Sequence, residues 1–118
     1  MGLFTRKKKT PSRRPKLVTR EVEIWLTAPE GYKRTVIPAK TPLTAVREPN
    51  NRHDKNAVAV HFGNRGRVGY LSRGDAKRAA AEIDAGTKYT VKLDGRYTLT
   101  EDDMWQTSGT LRGWTTEQ

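Results

Sequence analysis

The chain contains no cysteine, which excludes disulfide staples and thiolate zinc sites. It has two histidines, His53 and His61, too few for a histidine-rich metal centre. No apolar run is long enough to span a bilayer, and none follows the basic start as a secretory signal would require. Arg6 stands where a myristoylation motif needs Ser or Thr. The phosphate loop GxxxxGK[ST], the zinc-protease word HExxH and a cysteine nucleophile are all missing. These absences argue against an enzyme, and no cofactor is expected. Apolar residues are also scarce, at 34% of 118 residues. That bounds the chain to one domain with a small core.

Positive charge is in excess, with a net +10. Residues 1–20 hold Arg6, Lys7, Lys8, Lys9, Arg13, Arg14, Lys16 and Arg20 and no acid, giving +8. Residues 21–118 hold the other 15 basic and all 13 acidic residues, giving +2. Residues 1–16 read as a disordered basic tail and 17–118 as the folded domain. Cations on a flexible arm suit nucleic-acid phosphate, which they can bind without sequence choice. The same tail could meet an anionic membrane or act only as a solubilising arm.

Alternation of apolar and polar residues marks strands. Leu17 to Thr27 sets Val22, Ile24 and Leu26 against Glu21, Glu23 and Trp25. Ala28 to Lys40 reads as a loop with a short extended piece at Val36 and Ile37, and Leu43 to Arg47 as the next strand. Ser72-Arg73-Gly74-Asp75 is a capping box, with reciprocal side-chain to amide bonds expected between Ser72 and Asp75. The helix it opens runs to about Ala85. Ala76, Ala79, Ala80 and Ile83 form one stripe, with Lys77, Arg78, Glu82 and Asp84 toward solvent. Tyr89, Val91 and Leu93 alternate with Lys88, Thr90 and Lys92. Asp94-Gly95 is a two-residue hairpin signal, with Arg96 to Thr100 as the returning strand. Glu101-Asp102-Asp103 reads as a solvated acidic loop. Met104 to Trp114 is the last strand, which Gly109 and Gly113 should weaken.

The densest chemistry lies in Arg47 to Leu71, REPNNRHDKNAVAVHFGNRGRVGYL. A polar loop, Glu48 to Asn56, joins two strands, and Asn64-Arg65-Gly66 supplies a turn before the next. This stretch resembles the HIRAN domain family, whose pattern is close to R-E-P-x-N-P-Y-D-x-N-A-V-x-V, then V-G-Y-L or V-G-H-L, then a short helix. Here it stands as REPNNRHDKNAVAV, then VGYL. The resemblance implies a modified OB-like barrel that binds single-stranded DNA at a free 3′ end. His53 takes the place of the family's tyrosine and Arg52 that of its proline.

A carboxylate at Asp54, flanked by Arg52 and Lys55, stays charged. It can accept from a sugar hydroxyl and repel an added phosphate, the role the resemblance gives to this aspartate. It can equally pin its own loop as an Asx turn. His53 can stack on a base or meet a phosphate. Lys55 and Arg73 are phosphate candidates, Arg73 because it opens a helix. Tyr70 is either a nucleic-acid contact or an ordinary barrel aromatic. Trp25 is either a stacking platform or a cover for the barrel's far side. Asn51 and Asn56 are expected to structure the loop.

The expected fold is mainly β with one short helix, an OB-like or SH3-like small open barrel. The expected function is non-catalytic binding of single-stranded DNA, at free 3′-hydroxyl ends, in DNA repair, replication or phage DNA metabolism. The expected place is the cytoplasm of a bacterial or phage-infected cell. An RNA-binding module and a protein-interaction or virion-associated scaffold are the alternatives.

Overall fold

Six strands wrap into a closed barrel because each carries an apolar row on its inner side, and closure buries all six rows together. The computed structural model describes residues 15–116. The strands are β1 (Pro15–Leu26), β2 (Arg34–Ile37), β3 (Leu43–Arg47), β4 (Val58–His61), β5 (Arg67–Leu71), β6 (Lys88–Leu93), β7 (Tyr97–Thr100) and β8 (Trp105–Thr116), with helix α1 (Arg73–Asp84) between β5 and β6. Around the barrel the order is β1-β5-β4-β3-β6-β8, and β8 returns to β1. The chain therefore forms the expected mainly-β barrel with one short helix, but the barrel is closed where an open one was expected, because β8 pairs with β1 along twelve residues. Its interior holds Ile24, Leu26, Leu43, Val58, Val60, Val91 and Leu111, all buried.

The seam between β1 and β8 is twelve residues long and antiparallel, from Pro15 opposite Thr116 to Leu26 opposite Trp105. Pro15 and Lys16 thus belong to the first strand, ahead of the expected start at Leu17. The tail cations Arg6, Lys7, Lys8, Lys9, Arg13 and Arg14 lie outside the described residues.

Four local expectations need correction. Asp94-Gly95 does not make a hairpin. Strand β6 already has β3 on one edge and β8 on the other, so β7 leaves the barrel and pairs with β2 in a two-stranded sheet. Ile37 and Leu99 of that small sheet join the core. Gly109 and Gly113 do not weaken β8, which pairs along its whole length. A side chain at Gly113 would come within 2.6 Å of the Tyr89 ring, and one at Gly109 within 2.6 Å of Ile24 Cδ1. The glycines make room for large neighbours inside the barrel.

The last two corrections concern α1. Its buried stripe is Ala76, Ala79 and Ala80, with Ile83 partly buried, and small side chains let the helix lie close to β4 and β5. Gly86, at φ 113, ends it in a Schellman motif: the Gly86 amide donates to Ile83 O and the Thr87 amide to Glu82 O. The start is not a capping box. The Ser72 amide donates to Glu23 O, so Asp75 Oδ2 takes the Glu23 amide and the Ser72 hydroxyl, each at 2.9 Å. Asp75 thereby ties the helix to β1. Glu82 does not face solvent either. Its carboxylate receives Arg20 of β1 through two guanidinium hydrogen bonds and the Tyr89 hydroxyl of β6 at 2.8 Å.

Candidate functional site

The loop between β3 and β4 is held from within. The Glu48 amide donates to Ala57 O, closing its base, and the Asn51 amide donates back to Glu48 O. Asn51 Oδ1 accepts the amides of His53 at 2.8 Å and Asp54 at 3.1 Å. Asp54 Oδ1 accepts the Asn56 amide at 2.9 Å, a side chain to backbone turn. The loop-structuring role expected of Asn51 belongs to its side chain; Asn56 contributes its backbone amide.

Two neighbours that the sequence did not mark as functional complete the scaffold. Arg47 Nη1 donates to the carbonyls of Lys55 at 2.9 Å and Ala57 at 3.3 Å. Its Nε and Nη2 donate to Asp84 at the end of α1. Glu48 Oε1 accepts the Tyr70 hydroxyl at 2.7 Å and Asn51 Nδ2 at 3.1 Å. Burial pushes the Glu48 carboxyl up, but these two hydrogen bonds and the Arg67 charge outweigh it and hold it below its usual range. Burial, then the bond to Glu48, pushes the Tyr70 phenol up. The signal for both residues was present in the R-E pair that opens the motif.

A pocket of about 290 Å³ opens between this loop, β5 and the start of α1. Asn51, His53, Asp54, Ala57, Tyr70, Leu71 and Arg73 line it. Asp54 Oδ2 faces Arg73 Nε across 3.7 Å, longer than a hydrogen bond. Arg73 Nη2 donates to His53 O at 2.6 Å, while the rest of the guanidinium stays exposed. The Tyr70 ring carries Arg67, its Cζ 5.0 Å from the centroid, a cation over an aromatic face.

Four of the expected contact residues, Asp54, His53, Tyr70 and Arg73, therefore meet around one pocket. Lys55 and Arg52 are exposed on the same loop but do not line it. Trp25 is directly opposite Tyr70 in the β1–β5 register and 41% exposed, so it extends the aromatic surface beyond the rim. Among the described residues no group of three or more His, Cys, Asp or Glu is placed to hold a metal ion, and no helix is long and apolar enough to cross a membrane.

A carboxylate, a guanidinium, an imidazole and a phenol ring around one small opening supply a hydrogen-bond acceptor, N–H donors for an anion and flat stacking surfaces. Comparison with known proteins bears on that pattern. No curated protein matches the chain. The HIRAN domain of human HLTF, a crystal structure, superposes with a TM-score of 0.61 at 20% identity, covering 86% of this chain and 81% of that one. It shares the fold. The family model for the HIRAN domain matches residues 18–103, a span that runs from β1 past β7 and contains the whole pocket. The chain belongs to the HIRAN domain family, a family of DNA-binding modules.

Proposed function

We propose that this protein binds single-stranded DNA at a free 3′-hydroxyl end, and that the pocket beside β5 receives the terminal nucleotide. The observation that carries the proposal is the division of labour within Asp54. One carboxylate oxygen pins the loop through the Asn56 amide. The other faces Arg73 inside the pocket without a hydrogen bond, available to a sugar hydroxyl. A 3′ phosphate in its place would bring two anions together. Tyr70 and His53 offer flat surfaces to the terminal base, and Arg73 offers free N–H groups to the phosphate on its 5′ side.

In this reading the protein performs no chemical step. It serves DNA ends in repair, replication or phage DNA metabolism, in the cytoplasm of a bacterial or phage-infected cell.

The test is fluorescence anisotropy with one oligonucleotide carrying either a 3′ hydroxyl or a 3′ phosphate. The wild type should prefer the hydroxyl. Asp54→Asn keeps an acceptor for the Asn56 amide and loses the charge, so it should lose most of the preference. The effect of one charged hydrogen bond is about 1.5–3 kcal/mol, roughly tenfold or more. A folded wild type that binds both ends equally refutes end recognition. Binding of RNA more tightly than DNA of the same sequence would transfer the pocket to a 2′-hydroxyl partner.

A further inference from the structure

The outer face of the β6–β8–β1 sheet carries a second feature that the end pocket does not use. A shallow hollow of about 710 Å³ lies there. Small residues such as Thr19, Thr90 and Thr110 line it together with long ones such as Lys88, Arg112 and Trp114. The strand registers set these residues in three rungs. Lys88 lies opposite Trp114, which lies opposite Leu17; Thr90 opposite Arg112, opposite Thr19; and Lys92 opposite Thr110, opposite Glu21. Paired residues project from the same face, so two lysines, an arginine and a tryptophan share one surface.

We infer that this face is a second single-stranded nucleic-acid surface, with Trp114 as a stacking platform and Lys88, Lys92, Arg112 and Lys40 as backbone contacts. Three observations carry it. The first is Trp114, which is 61% exposed on a strand whose inward residues Gly109, Leu111 and Gly113 are buried. Leaving an indole in water forgoes burial of one of the largest apolar side chains, and a base stacked on it would restore that contact. The second is charge. Four cations line the hollow against one acid, Asp94, while Glu21 stands beside it at the same end as Lys92. The rung of Trp114 has no acid. Along β6, Lys88 and Lys92 are about 13 Å apart at ~3.3 Å per residue, a spacing that follows a backbone and does not converge on a point.

The third observation is Lys40. It is the only non-glycine residue at positive φ among the described residues, at 64°. It holds the third place of the Pro38–Thr41 turn, which closes through the Thr41 amide and hydroxyl on Pro38 O. Left-handed backbone there favours Gly or Asn. A lysine kept in a strained turn, with its side chain on the hollow, points to a use for that charge. The basic sequence Arg6 to Arg14 precedes β1 in the chain and supplies further cations.

The hollow and the end pocket flank the same long strand. Leu17 borders one and Trp25, opposite Tyr70, borders the other, about 26 Å apart along β1. A strand covering both fits the ~4–16 nucleotides that an OB-type barrel engages. The inference rests on the nucleic-acid reading of the protein and is independent of 3′-end recognition.

Closed circular single-stranded DNA, which has no ends, separates the two. The full chain should bind it in a salt-dependent manner. Trp114→Ala should weaken that binding about fivefold or more. Lys92→Gln combined with Arg112→Gln should flatten the slope of log affinity against log salt by about 1.4, at ~0.7 per phosphate contact on a single strand. All of these substitutions lie on exposed or half-exposed positions, and a thermal melt beside each titration checks the fold. Failure of the wild type to bind the circle overturns the inference. Binding unaltered by the folded Trp114 and Lys92/Arg112 variants also overturns it, and returns the face to an acidic protein partner.

Discussion

Glu82 of α1 forms a latch between three elements, taking Arg20 of β1 and Tyr89 of β6, and its removal has a calculable effect. In Glu82→Ala the Tyr89 hydroxyl loses its acceptor in a residue only 2% exposed. An unsatisfied buried hydroxyl costs about 1–3 kcal/mol. Arg20 also loses both its bonds to the carboxylate. Its side chain is 24% exposed, so water recovers part of that loss, leaving about 1 kcal/mol. The sum is roughly 2–4 kcal/mol. In a domain of this size 1 kcal/mol moves Tm by about 4 °C, so Tm should fall by roughly 8–16 °C in a circular-dichroism melt at neutral pH. Glu82→Gln keeps an acceptor for Tyr89 and should lose about half as much. The hydrogen bond from Arg20 holds the Glu82 carboxyl below its usual range, against burial, which pushes it up. A depressed carboxyl contributes stability that is complete above the ordinary carboxylate value and is lost as pH falls through the folded value. The gap in Tm between wild type and Glu82→Gln should therefore close in acid. Burial and the bond to Glu82 push the Tyr89 phenol up to about 12. Its contribution is complete below the ordinary tyrosine value near 10 and declines as pH rises toward about 12. A Tm drop below about 3 °C for Glu82→Ala, or a gap that persists unchanged in acid, would refute the three-element latch.

Two further outcomes are expected. Ala80→Asp should destabilise strongly, because an unpaired carboxylate enters a site 2% exposed, whereas Lys77→Asp on the exposed side of α1 should change the melt little; equal effects would mean the helix is rotated from its described phase. Deleting residues 1–14 should leave the thermal transition intact while lowering DNA affinity and flattening its salt dependence, since six cations go with them; unchanged titrations would remove the tail from the binding mechanism.

Strand positions were readable because alternation is local: Val22, Ile24 and Leu26 inward with Trp25 outward needs no knowledge of the partner strand. Pairing was not readable. Asp94-Gly95 is a good turn dipeptide, but a turn cannot make β7 pair with β6 when both edges of β6 are occupied by strands from elsewhere in the chain. Glu82 was misread for a similar reason. Its helical phase is ambiguous, and its partner Arg20 lies 62 positions away. In the pocket, the motif identified the residues of the loop and β5, but not how they are held. One Asp54 oxygen pins the loop and the other faces the pocket, so the turn expected of this side chain leaves room for the proposed contact with a sugar hydroxyl. Arg47 and Glu48 were overlooked because an Arg-Glu pair at a strand end reads as solvated charge until Lys55, Ala57, Asp84 and Tyr70 are seen around it.

The seam between β1 and β8 has a mechanical consequence. Pro15 and Thr116 are partners in the same rung, so the two ends of the domain leave from one point. Tension applied through them loads the ladder from its last rung inward. Hydrogen bonds then part in succession instead of sharing the load, and the barrel opens by peeling. Heat must disrupt the whole core at once, whereas a pull needs to break only the next pair.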